Sequence, residues 1–118
     1  MIALISAAKV NPKAAVICSL SPCFKENLVD VSMAQVVGGY LGKRRLEDFR
    51  KYSLNDVAAR IHSKIFLFTG SKEREVLSQG RYANSVLKDS ELTVIDNALH
   101  DFFSPDYLTS VKRRISWL

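Results

Sequence analysis

Three short apolar runs, set between stretches of helical periodicity, constrain this chain more than anything else in it. The first is Ala14-Ala15-Val16-Ile17-Cys18-Ser19-Leu20, with β-branched residues at its centre. The second is Ile65-Phe66-Leu67-Phe68-Thr69, closed by Gly70, and the third is Leu92-Thr93-Val94-Ile95. Continuous apolar runs of this length, bounded by turn residues, read as strands buried on both faces, which is the signature of a parallel sheet. Between and around them the spacing changes from short runs to a helical period. The expected order is helix, strand, helices, strand, helix, strand, helix. Such alternation predicts an α/β fold, a parallel sheet flanked by helices and joined by right-handed crossovers. Three strands make an incomplete sheet. Two of them are edges, yet all three read as doubly buried, so the sequence suggests a missing neighbour.

The helices carry their own signals. Met1 to Ala8 is apolar and alanine-rich, without an N-cap residue, and Asn11-Pro12 ends it. It reads as the middle of a helix rather than a signal peptide, because no basic segment precedes the apolar one. Met33, Val36, Val37, Tyr40 and Leu41 recur at helical spacing after Asp30, with Gly38-Gly39 as a weak point, and Leu46 to Tyr52 suggests a short further helix. Ser53-Leu54-Asn55-Asp56 resembles a capping box with Asp in place of Glu, followed by the stripe Leu54, Val57, Ala58 and Ile61, with His62 as its end. Glu73 to Lys88 is the next helix, in which Gly80 suits a close contact with the sheet. Ser104-Pro105-Asp106 is a strong helix start, and Tyr107, Leu108, Val111, Ile115 and Leu118 form the stripe behind it.

Length and charge narrow the function classes. A chain of 118 residues is one domain at most, residues 1–118 throughout, with no repeat or linker. No apolar run reaches the length of a membrane span, and the expected compartment is the cytoplasm. The net charge of +5 gathers partly in Lys43-Arg44-Arg45 and Lys112-Arg113-Arg114. Neither cluster is interleaved with stacking aromatics, so no nucleic-acid partner and no membrane partner are expected. Cys18 and Cys23 are the only cysteines; with His62 and His100 far away in sequence they offer no metal set, and reduced thiols are expected.

Chemistry concentrates after the second and third strands. Glu73 follows Thr69-Gly70, and His100 follows the third strand in Asn97-Ala98-Leu99-His100-Asp101-Phe102. In an open parallel sheet, functional groups gather outside the carboxyl ends of the strands. A carboxylate and an imidazole on one rim are two members of a catalytic triad. Ser6, Ser19, Ser21 and Cys23 are the candidates for the third; none lies in a glycine elbow, and a loop hydroxyl or buried thiol is the simpler reading of each. Glu75 is the second choice for the acid, and Asp101 and Asp106 read as a loop acid and a first-turn helix acid.

Taken together, these stretches resemble the C-terminal half of an α/β-hydrolase. That family places an acid after one strand in a Gly-x-x-Asp turn, here Gly70-Ser71-Lys72-Glu73, and a histidine after the next strand, with a closing helix behind it. The family order is serine, acid, histidine. Glu73 stands where the family usually has Asp. The family's Gly-x-Ser-x-Gly elbow occurs nowhere in this sequence. The helix after that elbow often reads like Met1-Ile2-Ala3-Leu4, so the resemblance implies that the chain begins just after the nucleophile and spans half a domain.

The resemblance implies hydrolysis of an ester, thioester or amide by the complete form. His100 would be the general base and then acid, and Glu73 its orienting partner, with no metal and no organic cofactor. The partner is then a small-molecule ester or amide. Residues 23–61 would lie near its pocket. This chain alone is expected to be inactive. The alternatives are a non-catalytic module pairing with a second chain, or with itself, through its sheet edge, and a truncated reading frame without activity. A flavodoxin-like domain needs more strands and a phosphate loop.

Overall fold

The structure, a computed structural model, describes residues 1–20, 24–26, 47–48, 51–100 and 104–116. Its elements are α1 (Ile2–Val10), β1 (Ala14–Cys18), α2 (Leu54–Ala59), β2 (Lys64–Gly70), α3 (Arg74–Val86), β3 (Ser90–Ile95) and α4 (Pro105–Ile115). The strands form one sheet in the order β1-β2-β3, and both pairs are parallel. Ile17 lies opposite Leu67, and Leu67 opposite Leu92. The fold is the expected α/β class, with an open sheet of three strands among the described residues.

Alternation along β2 builds two cores. Ile65 and Leu67 point to the face covered by α1, α2 and α3, where they meet Leu4, Ile17, Leu54, Val57 and Ala83. Phe66 and Phe68 point to the other face, where they meet Ile95 and Tyr107. Each phenylalanine is 1% exposed, and burial of one such ring contributes about 2–3 kcal/mol. Arg114 lies 5.8 Å from the Phe66 ring centre and pairs with Glu91 across the sheet edge, so part of the basic C-terminal cluster serves internal packing.

One expectation fails at the edges. Only β2 is buried on both faces. In β1 only Ile17 is fully buried, in β3 only Ile95, and Val94 is 41% exposed. The cause is position: each outer strand has one described neighbour, and among the described residues α4 alone covers the second face. Apolar composition in β1 and β3 therefore does not by itself demand a further strand.

The helix ends follow their sequence signals, with adjustments. Asn11 closes α1 in the left-handed region, with φ 46°. Gly80 on α3 sits against the sheet as expected; a Cβ there would lie 3.1 Å from Thr69 Oγ1. Ser104 caps α4 by accepting from Tyr107 N at 3.3 Å, with Pro105 in the first turn. The α4 stripe is narrower than its pattern, since Leu108 and Ile115 are 40% and 39% exposed while Tyr107 is buried.

At α2 the capping box is only half formed. Ser53 Oγ accepts from Asp56 N at 3.2 Å. The return partner is Glu26 rather than Asp56: its carboxylate accepts from Ser53 Oγ, from Leu54 N at 2.7 Å and from Asn55 N at 3.1 Å. The helix stops at Ala59, and Ile61 turns back into the core at 2% exposure. His62 is past that end, exposed, with its backbone N–H on Asn11 Oδ1 at 3.0 Å.

Glu47 and Asp48 are helical. Those two residues belong to the short helix expected from Leu46 to Tyr52; the expected helix after Asp30, with Met33 and Tyr40, lies outside the described residues, as do Ser21, Cys23, Asp101, Phe102 and Leu118. Among the described residues no helix is long and apolar enough to cross a membrane.

Candidate functional site

Two tight turns at one rim of the sheet are locked into each other. Gly70 ends β2, and Glu73 N returns to Gly70 O at 3.1 Å to close the first turn. The second turn follows β3, with Asn97 at φ 59° and Ala98 N reaching Ile95 O at 3.4 Å. Ser71 N donates to Ile95 O (2.9 Å), Lys72 N to Ala98 O (3.0 Å) and Asn97 N to Ser71 Oγ (2.8 Å). The Ala98 carbonyl comes so close to Gly70 that a Cβ there would lie 2.3 Å from its oxygen. Only glycine permits this approach, and the approach sets residue 73 beside residue 100.

Glu73 and His100 meet as the sequence led us to expect. Glu73 Oε1 faces His100 Nδ1 within hydrogen-bonding distance. The glutamate side chain is 3% exposed and the imidazole 59%, so the acid is enclosed and the base opens to solvent. Glu73 Oε2 accepts from Gly70 N at 2.7 Å and from Ser19 Oγ at 2.8 Å. An ionised carboxylate only accepts, so against an ionised Glu73 the donor of this bond is Nδ1.

Behind the carboxylate stand Ser19 and Tyr107, whose meeting with Glu73 the sequence did not signal. Ser19 follows the end of β1 with φ 49°, and its N–H bonds Phe68 O at 2.7 Å. The Tyr107 hydroxyl lies 3.0 Å from Ser19 Oγ and donates to Phe68 O at 2.9 Å. Burial lifts the Tyr107 phenol to about 12, and the Ser19 contact only partly opposes this. Burial likewise raises the half-buried Cys18 thiol, against a hydrogen bond from Tyr107 that lowers it, and the Glu73 charge adds to the rise. Tyr107 was legible only as an apolar-stripe residue. The available signal was its hydroxyl, since a buried tyrosine needs a polar partner.

Of the nucleophile candidates, Ser6 and Ser19 are among the described residues, and the structure brings neither to the imidazole. Ser19 reaches the acid rather than the imidazole, and Ser6 is exposed on α1. Glu75 is exposed in the first turn of α3. Among the described residues, no group of three or more His, Cys, Asp and Glu side chains is arranged to hold a metal ion. A cleft of about 260 Å³ lined partly by Ala98 and Leu99 flanks the His100 turn, whereas one of about 670 Å³ between β3 and α4 includes neither Glu73 nor His100.

The arrangement thus provides an oriented base with an enclosed acid, and it has chemistry to perform only when a nucleophile or an activated water stands at the imidazole. The chain matches no protein-family model, no curated protein and no solved structure.

Proposed function

We propose that this chain carries the acid–base half of a serine-hydrolase site of the α/β-hydrolase type, acting on an ester, thioester or amide once a nucleophile from outside these 118 residues is supplied. The observation that supports it is the Glu73–His100 pair at the carboxyl ends of β2 and β3, with the acid enclosed and the base open. His100 then takes the proton of the attacking hydroxyl and returns it to the leaving group, while Glu73 holds the imidazole and stabilises its charged form. The oxyanion donors belong with the nucleophile. Alone, the chain is inactive as a serine hydrolase.

A second reading is supported by the open sheet. Among the described residues β1 and β3 have one strand neighbour each, and in this reading another chain, or a second copy, pairs on an outer edge without catalysis.

The test is hydrolysis of a short-chain nitrophenyl ester, with fluorophosphonate labelling, by protein expressed from the whole reading frame. The first reading expects a labelled serine outside these residues, and a loss of about 10³-fold or more in kcat for His100→Ala. No labelling, with ester hydrolysis unchanged in His100→Ala, overturns it.

A further inference from the structure

We propose that Ser19, backed by Tyr107, holds one oxygen of Glu73 and so selects which carboxylate oxygen faces His100. This rests on the acid–base reading of the pair given above. The two oxygens of a carboxylate are chemically equivalent, and a glutamate side chain can turn to exchange them. In this site they are made inequivalent. Oε2 takes Gly70 N and Ser19 Oγ, and Oε1 takes His100 Nδ1.

Proton accounting gives the direction of each bond. Glu73 accepts only, so the single hydroxyl proton of Ser19 goes to Oε2. The Tyr107 hydroxyl, which donates to Phe68 O, lies 3.0 Å from Ser19 Oγ and backs the serine oxygen. The backbone of Ser19 is fixed too, through its N–H on Phe68 O. The bonds from Ser19 Oγ and Gly70 N thus hold Oε2, and Oε1 is left to His100. Ser19 and Tyr107 contact the acid and its support, so they are positioning residues.

An amide in place of the carboxylate exposes this selection. Glu73→Gln has one oxygen and one NH₂ group. Two donors converge on the Oε2 position, so the amide oxygen is drawn there and the NH₂ group turns to His100. Nδ1 must then accept, and the neutral imidazole carries its proton on Nε2 instead. Without the serine hydroxyl, only Gly70 N–H favours that orientation.

Imidazole ¹⁵N shifts read the tautomer directly. They are measured on protein from the whole reading frame, at alkaline pH, with His100 assigned against His100→Asn. Native protein is expected to hold the proton on Nδ1, and Glu73→Gln on Nε2. Adding Ser19→Gly, which removes the hydroxyl and suits the positive φ, is expected to lower the Nε2-to-Nδ1 ratio of Glu73→Gln about tenfold. Adding Tyr107→Phe instead shifts the ratio the same way by less, and keeps the test decisive should the serine variant not fold. A proton still on Nδ1 in Glu73→Gln overturns the proposal, as does a ratio unmoved by either second substitution. Should the ratios move as expected while the protein hydrolyses nothing, the hydrolase reading fails and the positioning role stands.

Discussion

Among the described residues two glutamates each accept hydrogen bonds from three other residues, and their surroundings differ. Glu26 takes Ser53 Oγ, Leu54 N and Asn55 N at the start of α2. Glu73 takes Ser19 Oγ, Gly70 N and His100 Nδ1 at the rim of the sheet. Glu26 is exposed and satisfies helix N–H groups that would otherwise bond water, so its work ends with capping. Glu73 is enclosed, and one of its three partners is a solvent-facing imidazole. Equal hydrogen-bond counts therefore carry unequal chemistry. What separates the two carboxylates is burial and the identity of the third donor.

Substitutions sharpen this contrast, and the largest effect falls on the residue that brings the turns together. Gly70→Ala drives a Cβ into the Ala98 carbonyl, so the backbone must shift; about 3 kcal/mol of stability is lost in chemical denaturation, along with the Glu73–His100 contact. Glu73→Ala leaves the Ser19 hydroxyl and the Gly70 N–H without their acceptor in a buried place, and costs about 2 kcal/mol. Glu26→Ala costs about 1 kcal/mol, because water reaches the freed donors of α2. Asp56→Ala changes stability by less than about 0.5 kcal/mol, since the return bond of the cap comes from Glu26. A Glu26→Ala cost equal to that of Glu73→Ala would break the distinction.

The pH dependence separates the two regions from opposite ends. Burial pushes the Glu26 carboxyl up, but the hydrogen bonds from Ser53, Leu54 and Asn55 outweigh it and hold the group below 4.5. Its contribution is present above that pH and is lost as pH falls through the folded value. Tyr107 is shifted the other way, from 10.0 to about 12, so its neutral form favours the folded state and stability is lost as pH rises across that window. Denaturation midpoints of Glu26→Gln and Tyr107→Phe across both ranges check this: each substitution should flatten only its own limb.

Legibility in the sequence followed contact range. Element order, the parallel sheet and the Glu73–His100 pair were all readable, because short turns after consecutive strands place them. Gly80 and the Ser104 cap were also readable from local chemistry. Ser19 and Tyr107 escaped as partners because their contacts span 54 and 88 residues, and no local pattern records such a meeting. The Glu26 cap escaped because no turn after a strand places it beside Ser53, 27 positions further along the chain. The double burial expected of β1 and β3 failed because apolar composition does not reveal whether a strand is central or outermost.

On the proposed reading, the nucleophile served by His100 comes from outside these 118 residues. The most direct measurement is to sequence the DNA immediately upstream of the Met1 codon. An in-frame Gly-x-Ser-x-Gly a few codons before Met1 is the predicted result. A stop codon there with no such elbow contradicts it, and pairing through the sheet edges then becomes the leading account of the chain.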